Sequence, residues 1–95
     1  MASKPETKLR LKIQKAVRKE YGKLVWIEHP TAGMYGSGLL DLVGCLEGRF
    51  FALEVKVGKG KATERQETTI DRILEAGGIA AVVRSVEEAL DVLEE

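Results

Sequence analysis

The chain of 95 residues lacks the features that mark exported or membrane proteins. Its one cysteine, Cys45, has no partner for an internal disulfide, so we expect a reducing, cytoplasmic setting. The first residues form no apolar signal segment, and no apolar run approaches the ~18 residues of a membrane-spanning helix. These absences predict a soluble, unexported protein without membrane contacts.

Residues suited to nucleophilic catalysis are also scarce. A catalytic thiol needs a base close by, and nothing in the sequence places the only histidine, His29, beside Cys45. Cys45 is more simply interpreted as a small buried side chain. His29 is more simply interpreted as a packing residue at the end of a strand. Aromatic residues make up only 5% of the chain, so Trp26 and Tyr35 are the few candidates for stacking on bases.

Net charge is zero, but the charges are unevenly distributed. Residues 1–23 hold eight basic and two acidic side chains, a net charge of +6. The last eleven residues hold five acidic side chains and no basic one, a net charge of −5. A basic first element favours a polyanionic partner or is simply a solvated helix face, and the acidic tail fits a solvated face or a subunit contact.

Length and punctuation predict one domain over residues 1–95. Ser3 with Glu6 fits the capping box of a first helix that ends at Gly22, and a strand follows over residues 24–29. A glycine-rich loop precedes two strands at 39–46 and 49–57. Thr63 and Ser85 cap two further helices, with a buried strand over 79–83 between them. The predicted order is αβββαβα.

The hairpin of the two central strands contains the chemically informative residues. Glu47-Gly48 is the only turn signal between the strands, so paired positions should sum to 95. Asp41 then lies opposite Glu54, with Cβ atoms ~4.5 to 5.5 Å apart. Two such carboxylates repel unless a cation lies between them, and Lys56 points to the same face.

The neighbours of these charged residues argue against a solvent-facing ion-pair stripe. Their own face also carries apolar residues, namely Val43, Cys45, Phe50 and Ala52. The opposite face is predicted to be core, with Leu40, Leu42, Leu46, Phe51, Leu53, Val55 and Val57. The pattern therefore favours a metal site at the end of a buried hairpin.

The motifs taken in order resemble the PD-(D/E)XK nuclease superfamily, and within it a stand-alone virus-type replication-repair nuclease (VRR-NUC) domain. The matching residues are Glu6, the segment from Gly36 to Leu42 (GSGLLDL), the segment from Gly48 to Val57 (GRFFALEVKV), and Gln66. The resemblance covers the chain from Glu6 to about Val83. One departure is Leu40, which stands where the family has the proline of its Pro-Asp pair and contributes no metal ligand there.

The resemblance implies an α/β fold with a restriction-endonuclease-like αβββαβ core, in which helices flank a mixed sheet, plus a C-terminal helix. It implies a metal-dependent, structure-selective DNA endonuclease that leaves 5′-phosphate and 3′-hydroxyl ends. Stand-alone members look like Holliday-junction resolvases, so branched DNA is the expected partner. Resolution of a four-way junction needs two active sites, which implies a homodimer.

The resemblance also assigns roles to residues. Asp41, Glu54 and the backbone carbonyl of Val55 would bind Mg²⁺ or Mn²⁺, which prefer oxygen ligands. Lys56 would orient the attacking water or stabilise the pentacovalent phosphate. Glu6 would lie near the metal and Gln66 near the lysine, although the residues alone favour a helix-capping role for both. The two roles are compatible at a helix N-terminus that faces the site.

Contacts with the DNA backbone are predicted for four lysines, Lys8, Lys12, Lys59 and Lys61. Lys59 and Lys61 follow glycines before a helix N-terminus, but the segment is not a Walker sequence and also fits a plain solvated loop. Two other functions stay open from the residues alone. One is a non-catalytic nucleic-acid-binding module whose acids are structural, and the other is a small assembly domain that uses its oppositely charged ends.

Overall fold

The computed structural model describes residues 4–30 and 39–95. Its helices are α1 (Pro5–Tyr21), α2 (Glu64–Glu75) and α3 (Val86–Glu94), and a 3₁₀ turn spans Gly22–Leu24. Its strands are β1 (Val25–Glu28), β2 (Leu42–Leu46), β3 (Arg49–Val55) and β4 (Ile79–Val83). The predicted order is confirmed. Within these two segments, no helix is long and apolar enough to cross a bilayer.

The four strands form one mixed sheet in the order β1-β2-β3-β4. Both pairings of β2 are antiparallel, whereas β3 and β4 run parallel, joined by the α2 crossover. The predicted α/β fold class, with helices flanking a mixed sheet and a C-terminal helix, is thus confirmed.

The turn between β2 and β3 sets the register of the hairpin. Leu46 pairs with Arg49 and Leu42 with Leu53, as the two-residue turn predicted. Glu47 and Gly48 have φ values of 50° and 87°. Two consecutive positive φ angles characterise the type I′ turn, whose twist matches that of the strands it joins. The residues just beyond the paired segment, Asp41 and Glu54, therefore meet at the open end of the hairpin.

Both faces of the sheet are covered by helices. On one face, α1 and α3 pack against the larger core, with Ile13 and Val17 from α1 and Ala89 and Leu93 from α3. On the other face, Ile70 and Ile73 of α2 pack against a smaller cluster formed by Leu40, Val43 and Ala52. The carboxylate face of the hairpin is therefore partly buried beneath α2.

Two predicted members of the larger core lie elsewhere. Leu40 was predicted on the hairpin face opposite the carboxylates, and this is wrong, because it packs with Val43 and Ala52. It precedes the first residue of β2, so the alternation of side chains along a strand does not apply to it. Val57 follows the end of β3 and is only half-buried.

The three helices begin in different ways. The predicted capping box of α1 is wrong: Lys4 is the N-cap, without a side-chain cap hydrogen bond, and Pro5 is the first helical residue. Proline suits that position because the N–H that it lacks would have no intrahelical partner, and its fixed φ is already helical. Ser3 lies outside the described residues, as do Tyr35 and the Gly36–Gly38 part of the motif.

The predicted caps of the other two helices are confirmed by their hydrogen bonds. Thr63 and Gln66 form both bonds of a capping box at the start of α2. At α3, the Ser85 hydroxyl accepts from the N–H of Glu88. The Glu88 carboxylate accepts from the N–H of Arg84, one residue before the expected partner.

Candidate metal centre

Asp41 and Glu54 close the open end of the hairpin through their side chains. The Asp41 Oδ2 atom accepts from the N–H of Val55 at 2.9 Å, and the Glu54 Oε1 atom accepts from the N–H of Asp41 at 3.3 Å. These two bonds replace the backbone ladder at this level, so β2 begins at Leu42 and not at Leu39 as predicted. The carboxylates are thereby held against the backbone of the opposite strand.

Glu54 is the most buried charged group of the site, with 2% of its surface exposed. Its Oε2 atom lies 3.2 Å from the Lys56 Nζ atom and accepts from the Gln66 Nε2 atom at 3.0 Å. Burial, and then the negative charge of Asp41, raise the pKa of Glu54 to about 7, against the lowering effect of Lys56. Near neutral pH this carboxyl group therefore binds a proton readily.

Gln66 caps α2, as the sequence predicted, and also contacts Glu54. Its Oε1 atom accepts from the N–H of Thr63 at 2.9 Å, and its own N–H donates to the Thr63 hydroxyl at 3.1 Å. The same side chain uses its amide Nε2 atom to reach Glu54. The cap fixes the amide, and the amide orients the buried carboxylate.

Glu6 joins the two hairpin acids from the first turn of α1. One carboxylate oxygen each from Glu6, Asp41 and Glu54 lie within 4.8 Å of one another. Three clustered carboxylates repel strongly, and such a group suits a hard divalent cation with oxygen ligands at ~2.0 to 2.6 Å. Opposite ligands of such a cation are about 4 to 5 Å apart. The donor set therefore fits a hard divalent cation.

Three residues near this cluster were not recognised as site residues from the sequence. His29, Lys4 and Arg10 line a cavity of about 230 Å³ together with Glu6 and Asp41. The His29 Nδ1 atom lies 2.6 Å from the Asp41 carbonyl oxygen, which only accepts, so Nδ1 carries the proton. His29 is exposed and not packed, and its hydrogen bond links the end of β1 to the backbone of Asp41.

The position of Arg10 follows from helical periodicity. It is four residues after Glu6, so both side chains lie on the same face of α1. Lys8 and Lys12, which were predicted to contact DNA, are exposed and point away from that face. A search along α1 for basic residues spaced four from the acid would have found Arg10.

Lys59 and Lys61 lie in an exposed segment between β3 and α2. The N–H of Gly60 donates to the Val57 carbonyl, which closes a tight turn there. The Arg84 Nη1 atom donates to the Gly58 carbonyl at 3.2 Å and ties this turn to the end of β4. Both lysines are accessible, and their contact with phosphates stays a prediction.

The whole fold is similar to solved structures. One, described as "VRR_NUC domain", has a TM-score of 0.66 and 22% identity, over 90% of this chain and 95% of the other. Another, "VRR_NUC domain protein", has a TM-score of 0.71 and 17% identity, over 98% of this chain and 88% of the other. No protein-family model matches the sequence, and no curated protein matches it. The chain therefore has the fold of VRR_NUC domains, as its motifs predicted.

Proposed function

We propose that the protein is a metal-dependent DNA endonuclease that hydrolyses phosphodiester bonds. The supporting observation is the carboxylate group of Glu6, Asp41 and Glu54, with ligand atoms within 4.8 Å and an amine beside it. A structural role alone explains such a cluster poorly, because each added carboxylate raises the electrostatic cost for its neighbours. The similarity to VRR_NUC domains gives independent support for nuclease chemistry.

In this proposal the three carboxylates hold Mg²⁺ or Mn²⁺, with the backbone carbonyl of Val55 as a further oxygen ligand. When bound, such a cation polarises the scissile phosphate and lowers the pKa of a bound water. Asp41 is positioned for this by the N–H of Val55, and Glu54 by the amide of Gln66. Glu54 would hold the cation in its ionised form.

Lys56 stabilises the negative charge that develops on the phosphate. Its side chain is 15% exposed and its ammonium group lies 3.2 Å from Glu54. An ammonium group has three N–H donors, so one bond to a carboxylate leaves two for the phosphate and the attacking water. A charged group held in place in a poorly hydrated site stabilises a transition state more than the same group in water.

We propose branched DNA as the substrate, with the Holliday junction as the leading candidate. A domain of this size offers little surface for reading bases, so backbone contacts through Lys8, Lys12, Lys59 and Lys61 suit structure-selective recognition.

A symmetric homodimer would supply the two sites that junction resolution needs. Trp26, Cys45 and Phe50 are successive cross-strand neighbours on β1, β2 and β3. Trp26 and Phe50 remain 56% and 46% exposed. This apolar row is a suitable surface for a second copy. A monomer by light scattering at assay concentrations would contradict the dimer.

A cleavage panel tests the function. The chain is incubated with four-way junctions, flaps and linear duplexes in Mg²⁺, in Mn²⁺ and in EDTA. We expect metal-dependent cleavage that is strongest on branched DNA and falls at least 100-fold in Asp41→Asn and Lys56→Met. Asp71→Asn on the exposed surface of α2 is the matched control and should cleave normally.

Binding in Ca²⁺ separates the alternatives. Cleavage-deficient variants that still bind DNA support the enzyme. Tight binding without cleavage by the unaltered chain in either metal would indicate a nucleic-acid-binding module. A chain that neither binds nor cleaves DNA would indicate an assembly domain.

A further inference from the structure

The cavity beside the carboxylates contains more basic groups than a metal site requires. It has a volume of about 230 Å³ and lies between the start of α1, the end of β1 and the residue before β2. Its lining residues are Lys4, Glu6, Thr7, Arg10, His29 and Asp41. Glu6 and Asp41 also belong to the carboxylate cluster, so the cavity adjoins the candidate metal position.

Three of the other lining residues can donate hydrogen bonds to a ligand. Lys4 and Arg10 are cationic, and Thr7 has a hydroxyl group. Once a divalent cation neutralises the two acids, the positive charges of Lys4 and Arg10 are left to attract an anion. The same cavity lies at the N-terminal end of α1, where the helix dipole also favours negative charge.

Arg10 is held in a fixed orientation by a buried partner. Its Nη1 atom donates to the Gln14 Oε1 atom at 3.1 Å, and Gln14 is only 7% exposed. A guanidinium group has five N–H donors, so this bond leaves others for a ligand. Its planar arrangement of donors matches the oxygens of a phosphate group.

We propose that this cavity binds a phosphodiester adjacent to the one that is cleaved, with Arg10 as its principal ligand. The inference rests on the proposed nuclease function and adds a substrate contact to it. The neighbouring phosphate would hold the strand in register, so that the scissile phosphate lies at the carboxylates and Lys56. Lys4 and Thr7 supply further hydrogen bonds.

Methylphosphonate substitution tests the contact directly. The DNA used is the one that the wild-type chain cleaves fastest in the panel, with its cut site mapped. Single phosphates on either side of that site are replaced by uncharged methylphosphonates. We expect one replacement to lower kcat/KM at least tenfold for the wild type. Arg10→Gln should lower kcat/KM similarly on unmodified DNA and lose most of its sensitivity to that replacement.

Two matched variants and one binding measurement complete the experiment. Lys19→Gln removes the same charge nine residues further along α1, which is two and a half turns and thus the opposite face. It should keep the full methylphosphonate effect. Arg10→Lys keeps the charge but lacks the planar donors, so it should lose part of the sensitivity to that methylphosphonate. If Arg10→Gln does not fold, Arg10→Lys alone provides the test. Mn²⁺ affinity by calorimetry should be unchanged in both Arg10 variants.

The outcomes distinguish this proposal from the function on which it rests. The phosphate contact would be overturned if the Arg10 variants and every methylphosphonate lowered kcat/KM independently, so that their effects multiply. The proposed nuclease function would not be affected by that result. Loss of Mn²⁺ binding in both Arg10 variants would also overturn it, because Arg10 would then be acting on the metal site. A wild-type chain that cleaves nothing would refute the nuclease and this contact together.

Discussion

Glu54 should make the metal-free protein less stable as pH rises, and Glu54→Gln should remove this effect. Burial raises the pKa of Glu54 from an ordinary 4.5 to about 7 in the folded state. The folded protein then binds more protons than the unfolded chain between these values. The contribution of Glu54 to the free energy of unfolding is therefore highest below pH 4.5. It decreases as pH rises to about 7.

The size of the effect follows from the two pKa values. Each pH unit between them lowers the contribution of Glu54 by about 1.4 kcal/mol, which gives a total of about 3 kcal/mol. Glutamine has nearly the same shape, and its oxygen can still accept from the N–H of Asp41. It carries no charge to desolvate, but its NH2 group replaces Oε2, so it loses both the ion pair with Lys56 and the hydrogen bond from the Gln66 amide. We expect Glu54→Gln to be about 1 to 2 kcal/mol more stable than the wild type at pH 8.

Urea unfolding in EDTA from pH 5 to pH 8.5, at one protein concentration, measures the effect. Glu75→Gln changes an exposed glutamate of α2 in the same way and should keep the wild-type pH dependence. With Mn²⁺ at 100 times its Kd, the wild type should gain about 2.7 kcal/mol, and Glu54→Gln much less. At one fixed Mn²⁺ concentration, the gain should increase with pH up to about 7, because the cation displaces a proton.

A wild-type stability that does not change between pH 5 and pH 8 in EDTA would refute this account of Glu54. So would a Glu54→Gln variant that is less stable than the wild type at pH 8. A stable variant that cannot cleave DNA would separate the chemical role of Glu54 from its structural role.

Three further predictions concern neighbouring residues. In urea unfolding, Thr63→Ala should lower the free energy of unfolding by about 1 kcal/mol, because only the α2 cap is lost. Gln66→Ala should lower it at least as much and should also slow cleavage about tenfold in single-turnover kinetics. His29→Ala should weaken Mn²⁺ binding several-fold by calorimetry, because the Asp41 backbone loses its hydrogen bond, and His29→Asn should restore part of the affinity. Gly44→Ala should destabilise the fold by more than about 3 kcal/mol in urea, since a Cβ atom there would clash with the β1 backbone.

The hairpin was predictable because its geometry is local. A two-residue turn fixes which positions pair, so Asp41 and Glu54 meet at the open end of the hairpin. The prediction failed where the strand had not yet begun: Leu40 packs beneath α2, although counting along the strand placed it on the other face.

The start of α1 was less predictable. A serine followed three residues later by glutamate fits a capping box, but the helix begins at Pro5, and Glu6 lies with the two hairpin carboxylates. Among the basic residues of α1, the sequence analysis selected Lys8 and Lys12, which are exposed, and not Arg10. Their separation into two faces matters only once the helix is packed against the sheet.

The sequence by itself determined the order of the elements, the hairpin register and the pairing of Asp41 with Glu54, since turn chemistry and periodicity depend on near neighbours. Tertiary structure decided which distant residues join that pair. Burial of Ile13 and Val17 against the sheet places Glu6 and Arg10 beside it, and packing of Ile70 and Ile73 brings Gln66 to Glu54. These contacts depend on how helices pack on the sheet, which no local pattern specifies.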